Sequence, residues 1–154
     1  MTESARFAEI SDRAEFEYLF KSSRESISGH RGADQWVEIN SIKNASGSLF
    51  ENLLNESKYR CVLGLYADHA FGFIIAEQTH LLGEVSVDIH EVFVDPEARE
   101  VGVGEAMMDY LLEWARSVSA TTLTSRALPG DRQLKNFFER YKVTARLIEV
   151  AKRL

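Results

Sequence analysis

The chain has 154 residues, 45% of them hydrophobic and 27% charged, with a formal net charge of -6. That length suits one domain with a single buried core. No apolar run approaches a membrane span, and the acidic balance opposes nucleic-acid binding, which needs clustered Lys and Arg, while favouring a cationic substrate.

The opening segment MTESARFAEI has neither the basic start nor the apolar stretch of a signal peptide, so a cytoplasmic location is expected, with no membrane or nucleic-acid partner. RFAEI is a strand candidate. Asp12 with Glu15 three residues on reads as a capping box, and Phe16, Leu19, Phe20 and Ile27 then share one helical face up to Gly29. The polar, glycine-bearing stretch from Gly29 to Ser48 is read as a loop, with a short helix around Ser48–Leu54. Loops of this length are often functional. Two sequons, at Asn44 and Asn55, carry no weight without an export signal.

Strands follow: CVLGLY, a turn at ADHA, FGFIIAEQT, a turn at LLG, then VSVDIHEVFV, which together predict an antiparallel meander. The only cysteine, Cys61, lies in the first of these runs and reads as a small buried hydrophobe. In the last run Val85, Val87 and Ile89 alternate, yet Val92 and Val94 are out of phase with them. Such a slip marks either a bulge near His90 or Glu91, or a strand end buried on both faces. After the turn DPEA, a helix from Gly104 is predicted by the stripe Met107, Met108, Leu111, Ala115 and Val118. ATTLTS reads as a strand, LPGD as a break, and Leu134, Phe137, Phe138 and Tyr141 as the apolar face of another helix. VTARLIEV is a final strand candidate.

The junction REVGVGEAMM sets a glycine turn between a strand and a helix. Backbone N–H groups at such a helix start have no intrahelical partners and bind phosphates, with glycine where the backbone approaches the anion; a tight connection with no ligand is the plainer alternative. A dinucleotide fingerprint would need glycine at Met107, and no Walker run exists. What remains is Arg99-x-x-Gly102-x-Gly104 after EVFVDPEA. At these residues the chain resembles the GNAT superfamily of acyl-CoA-dependent N-acyltransferases, whose signature is Gln or Arg, two residues, Gly, any, Gly or Ala after the fourth strand. The order of predicted elements resembles the family from end to end, and DRQLKNFFERYKV is similar to a later family segment.

The resemblance implies one domain over residues 1–154 with an α+β, three-layer fold: a mixed, mainly antiparallel central sheet flanked by helices and splayed between strands four and five. It also implies acetyl-CoA (coenzyme A) as co-substrate, no metal, and direct transfer of the acyl group to a primary amine on a small molecule or peptide. The backbone of Val92, Phe93 and Val94 would pair with the pantetheine arm. The turn from Arg99 and Glu100 through Val101, Gly102, Val103 and Gly104 to Glu105 would hold the pyrophosphate, with Asp131 nearby. An N–H of the fourth strand would stabilise the thioester oxyanion.

For the base that deprotonates the amine, Glu91 is the first candidate and Asp88 the next, with His90 between them. Phe138 stands where the family commonly has the tyrosine that protonates the leaving thiolate, and Tyr141 one turn on is the substitute. Glu100 and Asp131 replace the usual glycine and asparagine, and Lys142 and Val143 replace Gly-Phe. His30, Arg31, Asp34 and Trp36, with Gln35, would line the acceptor site. These departures leave a non-catalytic member of the same fold, binding CoA or a protein partner, as the alternative. The chain would act as a monomer or a homodimer.

Overall fold

A computed structural model describes residues 2–42 and 48–154; the sequon at Asn44 lies outside them. Strand β1 (Glu3–Phe7) leads through a single 3-10 turn at Ile10–Asp12 into helix α1 (Arg13–Ile27). Helices α2 (Ala33–Asn40) and α3 (Leu49–Asn55) precede the meander β2 (Tyr59–Tyr66), β3 (His69–Leu81) and β4 (Glu84–Val94). Helix α4 (Val103–Ser117), strand β5 (Thr122–Thr124) and helix α5 (Arg132–Arg140) complete the regular structure. The sheet order is β1-β2-β3-β4-β5, antiparallel except for the parallel pair β4–β5. The expected mixed, mainly antiparallel sheet between helical layers is therefore what forms.

One core lies between the sheet and helices α4 and α5, built from Val62, Ile74, Val87, Ile89, Met107, Met108, Leu111 and Phe138. The other lies under α1 and α3, around Phe16, Leu19, Phe50, Leu63, Phe73 and Phe93. Each fully buried side chain of this size contributes about 1.5–3 kcal/mol. A close approach seats α4: a Cβ on Gly64 would lie 2.5 Å from Val103 and 2.7 Å from Met107. Glycine on β2 thus lets the helix start descend onto the sheet.

Four expectations change. The capping box forms one turn earlier, where Glu9 N–H donates to Asp12 (2.7 Å) and Asp12 also receives Arg6 at 2.7 and 2.9 Å. Glu15 instead accepts from the Ala70 amide at 3.0 Å. The stretch read as a loop contains α2, because Ala33 and Asn40 turn inward a helical span apart and the polar Asn40 disguises the stripe. The strand expected over ATTLTS is cut to Thr122–Thr124, because β4 offers it only the register partners Ser86–Asp88. The final strand VTARLIEV does not form: residues 144–154 are exposed and irregular. A strand needs an edge to pair with, and Lys142, in the left-handed region at φ 60°, turns the chain away after α5.

Candidate functional site

The β4–β5 pairing ends at Asp88↔Thr124. One further link, from the Ser125 hydroxyl to the Ile89 carbonyl at 2.8 Å, closes it. Beyond that point β4 runs on to Val94 with this edge open. Asp95 N–H donates to the Phe71 carbonyl at 2.7 Å, which fixes Phe93 and Asp95 as residues bonded toward β3; by alternation, the peptide groups of Val92 and Val94 face the open edge. The Val94 carbonyl there accepts from Arg99 Nε at 3.0 Å.

At the mouth of this opening lies the glycine turn. Glu100 (φ 71°) and Gly102 (φ 88°) are both left-handed, an arrangement that gathers successive amides into a concave set. The first bond to close onto α4 runs from Ala106 N–H to the Gly102 carbonyl at 2.9 Å. The amides of Val103, Gly104 and Glu105 precede it and have no intrahelical acceptor. Gly102 is confined as well as left-handed, since a Cβ there would lie 3.1 Å from the Glu3 side chain. Arg99 also donates to Gln133 at 2.7 Å. A cavity of about 310 Å³ adjoins the turn, lined by Ser26, Ile27, His30, Arg99, Asp131 and Arg132 among others. Asp131 itself caps α5 by accepting from the Leu134 amide at 3.0 Å. Unpaired amides, the close glycine and two arginines fit a pyrophosphate.

The β3–β4 register shows where the apolar phase slips. Ile75 pairs with Glu91 and Ala76 with Ile89, leaving His90 as the extra residue of a bulge. Val87 and Ile89 enter the α4 core, whereas Glu91 and Phe93, past the bulge, join His90 and Asp88 on the side of α1 and α2. The slip therefore brings Asp88, His90 and Glu91 to one face.

Each of the three is held. Glu91, 4% exposed, is bound through both carboxylate oxygens by Arg24 of α1, one contact short and the other 3.2 Å. The Arg24 guanidinium lies 4.4 Å from the Phe20 ring centre and 5.6 Å from that of Trp36, and donates to the Ser41 hydroxyl at 2.8 Å. Burial pushes the Glu91 carboxyl above the usual glutamate range, with Arg24 and then His90 pulling it back. Asp88 accepts from Arg126 at 2.7 and 3.2 Å and from Thr124 Oγ1 at 2.7 Å. His90 sets Nδ1 against the Asn40 carbonyl (2.7 Å) and Nε2 against Glu77 (2.9 Å). Both ring nitrogens of His90 are thus engaged by neighbouring oxygens, which fixes the ring between β3 and α2.

Other expected residues scatter. Tyr141 packs against the α4 core, its hydroxyl donating to the Glu105 carbonyl at 3.4 Å, and burial pushes it up to about 12. Phe138 is buried in the same core. His30 and Asp34, with Gln35, line a second cavity of about 260 Å³ at the α1–α2 turn, whose lining does not include Arg31. Trp36 alone of the acceptor candidates reaches the Glu91 group. Cys61 is buried in the α1 core, its thiol pushed up by that burial, which suits a packing role.

The sequence profile of the Acetyltransferase (GNAT) family matches residues 17–142. The chain belongs to that family. Among solved structures it is similar to the ribosomal-protein-alanine N-acetyltransferase from Brucella melitensis biovar Abortus 2308, at 17% identity, a TM-score of 0.72 and 100% of both chains. It is similar also to AAC(6')-Iy in complex with the bisubstrate analog CoA-S-monomethyl-acetylneamine (16% identity, TM-score 0.73, 100% of both chains). A tetramutant of the BH1408 protein from Bacillus halodurans gives 16% identity and a TM-score of 0.77 over 97% of this chain and 99% of its own. At these identities the likeness is one of fold. No curated protein matches the chain.

Within this GNAT-family fold, sequence reasoning missed Arg24, Arg126, Asn40 and Glu77, the residues that hold Asp88, His90 and Glu91. Arg24 carried one signal: it lies four residues after Phe20 on an otherwise apolar face. Arg126 and Asn40 carried none, since their partners lie 38 and 50 residues away.

Proposed function

We propose that the chain is a cytoplasmic, acetyl-CoA-dependent N-acetyltransferase acting as one domain over residues 1–154. The observation that carries this reading is the open β4 edge leading straight to the concave amides of residues 100–105. Val92 and Val94 would hold the pantetheine arm in the manner of an added strand, and the amides of Val103, Gly104 and Glu105 would take the pyrophosphate. Phe93 contributes its ring to the core beneath. Acetyl-CoA in this place would supply the acyl group as a thioester.

Val92 N–H, on the open edge, is the donor set to polarise a carbonyl oxygen there. Glu91 follows the bulge immediately before Val92, so its carboxylate is the base with the shortest path to an amine at that carbonyl, directly or through one water. Arg24 offsets part of the cost of burying that carboxylate. Asp88, bound twice by Arg126, positions the α2 side of the acceptor site. Trp36 forms one wall of it, with His30, Arg31 and Asp34 at the α1–α2 turn as further contacts for a small-molecule or peptide amine. Phe138 supplies no proton, so solvent, or Tyr141 after a change of partner, would protonate the departing sulfur.

A second reading, a GNAT-fold protein that binds CoA without turnover, has one observation in its favour: Phe138 brings no hydroxyl, the Tyr141 hydroxyl is spent on the Glu105 carbonyl, and Glu91 is locked to Arg24. The first test is the melting temperature of the purified protein with CoA and acetyl-CoA. Ligand at about a hundred times its dissociation constant stabilises the fold by roughly 2.7 kcal/mol. No rise at millimolar ligand removes both readings. A rise followed by acetylation of members of an amine panel supports the enzyme, and a rise without turnover supports the second reading.

A further inference from the structure

The chain's net charge of -6 favours cations in general, but the face that β4 turns toward α1 and α2 is already in balance. Three carboxylates stand there, and each has its own cation. Glu91 is held through both oxygens by Arg24. Asp88 accepts from Arg126 Nη2 at one oxygen (2.7 Å), and from Arg126 Nη1 (3.2 Å) and the Thr124 hydroxyl (2.7 Å) at the other. Glu77 sets one oxygen against His90 Nε2 at 2.9 Å and the other 3.9 Å from Lys58 Nζ. Asp34 lies apart, in the cavity at the α1–α2 turn. An acceptor ammonium arriving at Glu91 would therefore add a positive charge that nothing on this face offsets.

Hydrogen-bonding capacity is left over on the cationic side. A guanidinium has five N–H donors, and Arg126 uses three of them, on Asn40 Oδ1 and on the two oxygens of Asp88. Two stay free, on a side chain 37% exposed against 14% for Asp88. The fold sets its position: Arg126 directly follows Ser125, whose hydroxyl makes the last link from β5 to β4. It thus stands where the two strands part. Trp36 spans the two arginines, since its indole N–H donates to the Arg126 carbonyl at 3.4 Å and its ring lies 5.6 Å from the Arg24 guanidinium. Arg24, packed also on Phe20, is the less open of the pair.

We propose that the acceptor is a small amine that also carries a carboxylate, with its amine at Glu91 and its carboxylate on the free N–H donors of Arg126. This rests on the acetyltransferase reading for the place of the amine. The acceptor's own negative charge offsets that of its ammonium and gains charge-assisted hydrogen bonds, while Asp88 keeps Arg126. Trp36 gives an apolar wall to the carbon chain between the two groups. A polycation has neither advantage and is a poor substrate.

The test pairs acids with amides: L-glutamate, 4-aminobutyrate and 6-aminohexanoate against the corresponding carboxamides, with spermidine as the polycation. Binding is read by calorimetric titration of the CoA-saturated protein, and turnover by acetyl transfer from acetyl-CoA. At least one acid should bind about ten- to hundredfold more tightly than its carboxamide and more tightly than spermidine. If no acid is preferred, or spermidine binds best, the proposal falls. Arg126→Met should erase the acid's advantage in binding and in KM with little change in kcat, and Arg126→Lys, which keeps the charge, should retain part of it; an advantage unchanged in Arg126→Met overturns the role of Arg126. Acetylation without acid preference keeps the enzyme and removes this proposal, whereas acid-selective binding without acetylation upholds the ligand and removes the enzyme. If CoA does not bind, the titration of the protein alone should show the same preference, and its absence there overturns the proposal too.

Discussion

Arg24, in the last turn of α1, and Glu91, on β4, form a two-oxygen ion pair between residues 67 apart in sequence, with the guanidinium set against Phe20 and Trp36. The carboxylate is almost wholly buried while the arginine keeps partial contact with solvent. Removing the arginine strands the carboxylate, so Arg24→Met should cost about 3 kcal/mol at neutral pH. Glu91 has a folded pKa raised above 4.5, and a raised carboxyl favours the fold while protonated and loses that contribution as pH rises through the folded value. The deficit of Arg24→Met relative to wild type should therefore shrink as pH falls toward 4.5. Urea unfolding at a series of pH values checks this, and a deficit independent of pH would contradict it.

Glu91→Gln should leave the CoA-induced rise in melting temperature intact while lowering kcat/KM by about 10²–10⁴-fold. In the wild type the acid limb of kcat/KM should lie above pH 4.5, because the base works only when ionised and its carboxyl is raised. That limb should vanish in the variant. Full activity in Glu91→Gln would take the residue out of the chemistry.

Gly102→Ala places a side chain at φ 88° and within 3.1 Å of Glu3. A loss of stability of about 1 kcal/mol is expected from the backbone alone, together with a weakened response to CoA, because the same residue shapes the amide cradle. Melting curves with and without CoA separate the two effects.

Gly64→Ala should destabilise by about 1–3 kcal/mol through overpacking, since Val103 and Met107 stand where the methyl group would go. Because those residues form the start of α4, CoA binding should weaken with it, although Gly64 touches no ligand. Calorimetric titration of CoA reads this.

Arg126→Met should raise the KM for the amine with little change in the CoA response, since Arg126 ties Asp88 of β4 to Asn40 of α2. The lost charge-assisted bonds are worth about 1.5–3 kcal/mol of stability. An unchanged amine KM would leave Arg126 with a packing role only.

Local signals reached far in this chain. The meander, the glycine turn, the two apolar stripes over α4 and α5, and the bulge all rest on periodicity and turn chemistry within a few residues, and each appears where the pattern put it. The locks on Glu91, Asp88 and His90 were hidden because they join elements far apart in sequence, and no short-range pattern encodes a helix arginine meeting a strand carboxylate. VTARLIEV failed in a different way. Its strand propensity is genuine, but pairing depends on a partner edge, which propensity does not report.

The bulge at His90 gives β4 two independently addressable halves. Up to Ile89 the strand's odd positions feed the α4 core; past the bulge, Val92 and Val94 do so. If the strand ran regularly through His90 without the bulge, strict alternation would turn Glu91 and Phe93 into the opposite layer, putting a carboxylate among Met107, Met108 and Leu111. The bulge that absorbs this extra residue thus sets the facing of the two halves separately, so substitutions in either half can be tolerated without disturbing the facing of the other.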